Sequence, residues 1–219
     1  VPLWLLHAEA LYALQGWREL RELSIEMTRV FGDAPNVDVI SGVWRAVADA
    51  KLNRRESALA AAGKAKALPL EDAPLAMRLA AWLDEARLSE AALALLRGAE
   101  AALSDSIVYW SQRFLAAAWA SEVDDMLESS RRALALVPKD PRAANNRAAA
   151  LIFARRSLAE AVQLTFENVA RFPANKTYAV NHAMALVENE RLVEARQVLS
   201  RIAQGTAKDR LEANRQLAW

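Results

Sequence analysis

Ala92, Met126, Ala161 and Ala195 follow one another at intervals of 34, 35 and 34 residues. A second column, Ala80, Phe114, Ala148, Ala183 and Leu217, keeps the same step, and so does a third, Ala76, Trp110, Ala144, Ala179 and Ala213. One such column is unremarkable in an alanine-rich chain, but three in step are a repeat. Mostly small side chains at fixed points let helices approach closely, so each repeat is expected to pack on the next.

The punctuation follows the same step. The seven prolines, Pro2, Pro35, Pro69, Pro74, Pro138, Pro141 and Pro173, stand where helices are expected to begin or to be joined. Between them lie segments of roughly thirty residues, each long enough for two helices and a short turn. A weaker interruption divides each segment, at Gln15-Gly16, Asn53-Arg54, Glu85-Ala86, Ser121, Arg155-Arg156 and Asn189-Glu190. No Val/Ile/Thr-rich alternating run competes for a strand. The expected fold is all-α: about six antiparallel helical hairpins over 2–32, 36–68, 72–103, 106–138, 141–173 and 176–203, then a further helix over 207–219, in one continuous array.

Composition narrows the function classes. Hydrophobic residues make up 54% and charged residues 25% of 219, enough for a substantial core. Twenty-eight basic against 27 acidic residues leave net +1, too little for a field that gathers nucleic acid. Absence of cysteine excludes disulfides and thiolate metal sites. The longest uncharged run, Thr177 to Val187, is far short of a membrane span. The chain opens on Val1 without an initiator methionine or signal-like segment, and reads as a fragment of a longer protein, cytoplasmic or periplasmic.

The period and the residues together resemble the tetratricopeptide repeat. "ALALVPKDPRAANNRAAALIFARRSLAEAVQLTFENVARFPAN" has a small residue in each helix, a proline after the second and paired asparagines in the first. "YAVNHAMALVENERLVEARQVLSRI" is similar, with Ala183 and Ala195 in the family's small-residue columns. The likeness is good from about Trp110 to Ile202 and fair from Asp72 to Leu103. Nearer the N-terminus Trp4 and Ala8 fit, but Leu20 replaces a small residue, and 37–68 fits only with an insertion near "AKLNRRES". Arg147 stands where the family usually has leucine, its stem expected to pack and its guanidinium to reach water. The resemblance implies a right-handed superhelix whose first helices line a concave inner groove.

Asparagine is a poor helix-interior residue, so the adjacent Asn145 and Asn146 in "PRAANNRAAAL" call for a reason. With Ala144 and Ala148 at the packing face, both amides fall one residue off it, toward one side. The same column holds Arg78, Gln112, Asn146, Asn181 and Arg215, all rich in hydrogen-bond donors. By resemblance to family members that grip extended peptides, Asn146 and Asn181 would bond the backbone of a bound segment. One flank holds Met77, Ser111, Asn145, Val180 and Asn214; the other holds Glu85, Trp119, Phe153 and Glu188. Either asparagine alone fits an amide bonded across to the adjacent helix; the column as a group fits a groove. Trp119 and Phe153 fit core filling at the hairpin turn better than a pocket, although they belong to the candidate groove. The lysine-rich clamp that some family members use for a chain-terminal carboxylate is not reproduced, since these columns contain no lysine.

Catalytic signals fail. His7 and His182 are the only histidines, no glycine-rich phosphate loop or metalloprotease motif occurs, and no cofactor or metal is implied. Glu71-Asp72 and Asp124-Asp125 fall at expected helix starts, where carboxylates suit the macrodipole. Arg131-Arg132 and Arg155-Arg156 are expected to be solvated, and His182 to pack against a neighbouring repeat. The reading that results is a non-catalytic scaffold binding a protein or extended peptide segment. The alternative is a substrate-selecting arm of a larger enzyme, such as a glycosyltransferase. RNA reading is opposed by Glu85 and Glu188 in the groove columns. Dimerisation through the apolar "VPLWLL" end is weaker than exposure of an end repeat.

Overall fold

The computed structural model describes residues 2–32, 34, 36–66 and 72–203. Among the described residues there are thirteen helices and no strand. They are α1 (Pro2–Ala13), α2 (Trp17–Phe31), α3 (Val37–Lys51), α4 (Arg55–Lys66), α5 (Ala73–Glu85), α6 (Ser89–Gly98) and α7 (Glu100–Leu103). There follow α8 (Ile107–Ala120), α9 (Val123–Leu136), α10 (Pro141–Ala154), α11 (Leu158–Arg171), α12 (Lys176–Glu188) and α13 (Leu192–Ala203). The chain forms two compact units, Val1–Glu122 and Val123–Trp219. In the first, α1 packs on α2, α3 on α4 and α5 on α6; in the second, α10 packs on α11 and α12 on α13. The expected helix over 207–219 lies outside the described residues.

Two kinds of connection alternate. Inside each hairpin the turn closes on a left-handed residue, Gln15, Asn53, Arg87, Ser121, Arg155 or Glu190, with φ between 51° and 60°; the turn at Arg155 carries a second, Ser157, at φ 45°. The next residue donates its backbone N–H to the carbonyl five positions back: Gly16 to Leu11, Arg54 to Asp49, Leu88 to Leu83, Glu122 to Ala117, Arg156 to Leu151 and Arg191 to Leu186, at 2.8–3.0 Å. This is the Schellman closure of a helix C-terminus, usually made with glycine. Here none of the six left-handed residues is glycine, and each is disfavoured by about 1 kcal/mol or somewhat more. At four of the connections between hairpins the linker instead supplies an N-cap. Asp72 accepts from Leu75 N, Ser106 from Tyr109 N, Asp140 from Arg142 N and Ala143 N, and Asn175 from Tyr178 N. Pro74 and Pro141 sit in the first turns of the helices so capped, where a missing N–H costs nothing.

The left-handed residues that close the turns are 34 or 35 positions apart from Asn53 to Glu190, but Gln15 and Asn53 are 38 apart. The turn at Asn53 closes like the others. The extra residues therefore precede it, in the longer α2, α3 and their linker, rather than forming an insertion at "AKLNRRES".

The repeat columns are the core. Ala92, Ala161 and Ala195 are 2% exposed or less, Met126 is 4% exposed, and Ala80, Ala148 and Ala183 are closed to solvent to within 1%. Leu20, in place of a small residue, is fully buried. In the second unit Ala148, Leu151, Ile152, Ala161, Val162, Ala185, Leu186 and Ala195 form one cluster, covered by Leu127, Leu164 and Val198. In the first unit the bulk comes from Trp44, Tyr109 and Trp110 with Leu79, Leu83, Leu93 and Leu96. Trp110 replaces alanine in its column, and its indole N–H donates to Ser104 O at the end of the short α7, 2.6 Å away. That added turn accommodates a ring where other repeats bury a methyl group.

Candidate functional site

The candidate residues sit on first helices: Arg78 on α5, Gln112 and Trp119 on α8, Asn145, Asn146 and Phe153 on α10, and Asn181 on α12. Arg215 and Asn214 lie outside the described residues. Local folding explains the orientation. Ala143, Ala144, Ala148, Leu151 and Ile152 are the buried side of α10, leaving Asn145 and Asn146 half-buried at its margin.

In the second unit Asn181 Nδ2 donates to Asn145 Oδ1 at 2.8 Å, joining consecutive first helices α12 and α10. Asn145 thus bonds across to the adjacent helix, as the single-residue reading expected. Its NH2 group, and the second N–H and carbonyl of Asn181, stay uncommitted in that bond. The side chain of Asn146 makes no hydrogen bond among the described residues and is half-buried beside them. Phe153 is 55% exposed, and Met184 and Val187 on α12 are 38% and 39% exposed. Glu188 pairs with Arg155, 3.1 Å away.

In the first unit the same register is occupied differently. Gln112 Nε2 donates to Met77 O at 2.8 Å, tying α8 to α5. Arg78 pairs with Glu9 of α1, and the Tyr12 hydroxyl donates to the Glu85 carboxylate. The Tyr12 ring stacks on Trp82, centroids 4.1 Å apart and 11° from parallel. Burial, and then the adjacent Glu85 carboxylate, push the Tyr12 phenol well above its ordinary range. Glu85 is also approached by Lys51, whose ammonium donates to the Glu85 backbone oxygen at 3.3 Å. Two of the groove residues named from the sequence, Arg78 and Glu85, are therefore already engaged by α1.

Trp119 corrects the core-filling expectation: it is 65% exposed, with the Arg87 guanidinium 4.6 Å from its ring centroid. It shares an outward face of α8 with Val108 and Leu115, 65% and 51% exposed. Phe153 corrects it likewise.

Arg147 differs from expectation in its last atoms. Its Nε donates to Glu160 at 3.0 Å and its Nη1 to Leu127 O at 3.3 Å, so the guanidinium is held by α11 and α9, with 15% of the side chain exposed. It belongs to a polar column with Arg113 and His182, spaced 34 and 35 residues, which that spacing alone would have exposed. Arg113 bonds Glu100 and the Tyr109 hydroxyl. His182 packs on α11, its Nδ1 2.9 Å from Thr165 Oγ1. Burial first, with Arg191 nearby, lowers its pKa and keeps the ring neutral near pH 7. Arg131 and Arg132 face solvent but both grip Glu128, whose carboxyl they hold down to about 2, Arg131 contributing most. Asp72 caps α5, and Asp124 and Asp125 stand in the first turn of α9.

Sequence reading missed Asp49. It is fully buried, bonded to Arg21 Nε at 2.8 Å and to Ser57 Oγ at 2.5 Å, with Arg45 and Arg54 each 3.8 Å away. Its signal was an aspartate 34 residues before Leu83, in the column that continues with Leu151 and Leu186. Among the described residues no group of three or more His, Asp or Glu side chains could hold a metal ion. No helix there is long and apolar enough to cross a membrane.

No family model and no curated protein matches the sequence. Among solved structures the fold is similar to one described as "MamA MSR-1 C2", with TM-score 0.52 and 15% identity over 81% of this chain and 97% of that one. It is similar also to "MamA AMB-1 P212121", with TM-score 0.53 and 15% identity over 78% of this chain and 95% of that one. MamA is a tetratricopeptide-repeat protein. At this identity the likeness concerns the fold alone, an all-α succession of tetratricopeptide-type helical hairpins.

Proposed function

On a fold of this type we propose that the chain is a non-catalytic scaffold which binds an extended peptide segment along its first helices, with the amides of α10 and α12 as the grip. One observation carries the reading. The Asn181–Asn145 bond sets two carboxamides side by side on consecutive first helices, and Asn146 beside them keeps its own amide unpaired. A carboxamide both donates and accepts, which is what a peptide bond requires. Holding one amide by another fixes its direction in advance, so less freedom is lost when a ligand arrives. Backbone bonding of this kind gives grip with little sequence preference, and the part-exposed Phe153, Met184 and Val187 supply apolar surface for side-chain selection.

The test is a displayed-peptide selection on the wild-type chain, followed by affinity measurement for the selected peptides. Asn146→Ala with Asn181→Ala should leave the helical circular dichroism intact and weaken binding about tenfold or more, the loss of one or two hydrogen bonds. Selected peptides that bind the double variant as well as the wild type would remove the amide row from the function.

A further inference from the structure

A second surface lies in the first unit and uses none of these asparagines. Leu59 and Arg55 of α4, the turn residue Arg87, Glu90 in the first turn of α6 and Trp119 of α8 enclose a cavity of about 290 Å³. Its apolar wall is open to water: Trp119 is 65% and Leu59 51% exposed. At its edge Gly63 has nothing among the described residues within 4 Å of where a Cβ would stand. Arg87 lies over the Trp119 ring, its guanidinium 4.6 Å from the centroid, and makes no ion pair or side-chain hydrogen bond among the described residues. Arg55 Nη2 donates to Arg87 O at 3.1 Å, its one polar contact among those residues, and this draws the two arginines together.

The geometry points to a binding site for an acidic peptide segment in which an Asp or Glu side chain adjoins an aliphatic or aromatic one. A guanidinium lying over an indole keeps N–H donors that the ring does not use, and these can bond a carboxylate. Arg55 offers further donors on the same side of the cavity. The apolar neighbour covers the exposed surfaces of Trp119 and Leu59, which are otherwise left in water. The volume, at the small end of ligand sites, suits one or two side chains. Charge favours an anionic side chain: the lining carries two guanidinium groups, Arg55 and Arg87, and one carboxylate, Glu90.

Because the cavity lies wholly within residues 55–120, this inference stands or falls apart from the amide row of α10 and α12. The probe is a fluorescein-labelled octapeptide alternating Glu with Leu and Phe, read by anisotropy against the full chain. Its counterparts replace Glu by Gln, or Leu and Phe by Ala. Arg87→Ala and Trp119→Ala should each weaken binding about tenfold. Arg87→Lys, which keeps the charge without the planar fork, should recover only a minor part of the loss. Both peptide counterparts should bind at least tenfold more weakly than the parent, and the same ranking should hold in a chain carrying Asn146→Ala and Asn181→Ala, where the amide row cannot compete for the probe. Melting followed by circular dichroism checks that the variants are folded. Three outcomes overturn the assignment: wild-type chain that fails to bind the parent peptide at millimolar concentration, binding indifferent to Arg87 and Trp119, or a labelled single-stranded oligonucleotide that binds as well as the peptide and loses affinity with Arg87→Ala.

Discussion

The two units use one register in opposite ways. In the second, the position that accepts the turn-closing N–H is Leu151 or Leu186, and the following residue is Ile152 or Val187. In the first, the equivalent positions include Asp49 and Asp84, both carboxylates inside the hairpin. The inner rows diverge too: Arg78 and Glu85 are held by Glu9 and Tyr12 of α1, whereas Asn146 is left open. The difference teaches that a repeat register determines where a side chain points, not whether it is available. In these rows the first unit ties Arg78 and Glu85 into contacts with α1, whereas the second leaves the Asn146 amide unpaired among the described residues.

The largest effect expected from breaking this contrast is at Asp49. Removing one member of a buried, hydrogen-bonded ion pair costs about 3–5 kcal/mol, because the partner is left uncompensated. Asp49→Ala strands Arg21 and Ser57, so hydrogen exchange should accelerate through α2, α3 and α4 while α10–α13 keep their protection. Asp49→Leu, which imports the second unit's solution, should recover at least half of the loss, since Arg21 is 26% exposed and has water within reach. Equal loss in both variants would show that the column needs the carboxylate itself rather than its volume.

Much of this was legible in the sequence, for identifiable reasons. Columns of small residues become buried because interhelical distance is set where helices touch, and Ala92, Ala148, Ala161 and Ala183 are closed to solvent to within 1%. Turns were visible near Asn53, Ser121, Arg155 and Glu190, although glutamate, arginine and serine have no liking for a left-handed conformation; the closing hydrogen bond and the packing beyond it override local preference. The third hairpin's left-handed residue, Arg87, lies just past the interruption read at Glu85-Ala86. Trp119 was misread because α8 is apolar almost all round: Tyr109, Trp110, Phe114 and Ala117 face inward while Val108, Leu115 and Trp119 face outward, and such a helix has no period to say which is which. The ties of α1 to Arg78 and Glu85 span 69 and 73 residues and reach across the 38-residue step between Gln15 and Asn53, where the columns of the later repeats do not extend. The amide row, by contrast, was visible as a row; that Asn145 and Asn181 bond one another depends on the distance between two helices.

Asp84 sharpens the comparison through pH. One of its carboxyl oxygens is buried without a partner among the described residues, and burial pushes its pKa from the ordinary 3.8 to about 6, against a smaller opposing effect of the Ser89 hydrogen bond. The folded chain therefore holds this proton more tightly than the unfolded chain does. The stability that results is whole below pH about 4 and is lost as pH rises through about 6. Asp84→Asn, which cannot ionise, should flatten that dependence in urea titrations between pH 4 and 7.5. It should gain about 1 kcal/mol over the wild type at the upper end, after allowance for solvent screening of a half-buried group. No such slope is expected from the aliphatic Ile152 and Val187, so a variant with the wild-type slope would place the titration elsewhere.

The smallest effect compares two turns that close with the same hydrogen bond and differ in surroundings. Ser121 and Arg155 both adopt left-handed conformations, at φ 60° and 51°. Glycine pays no Cβ penalty there, although it brings more freedom to the unfolded chain, so Ser121→Gly should stabilise by about 0.5–1 kcal/mol. Arg155→Gly relieves the same strain but also removes an ion pair with Glu188, whose side chain is 30% exposed, across the 33 residues to the next turn. An exposed pair of this kind is worth about 0.2–1 kcal/mol, the same size as the relief. The arginine variant should therefore be close to neutral in thermal melts at low salt and should gain on the wild type as salt screens the pair it has lost. Equal stabilisation at both turns would mean that the ion pair contributes nothing and that Arg155 is held left-handed by the closing hydrogen bond alone.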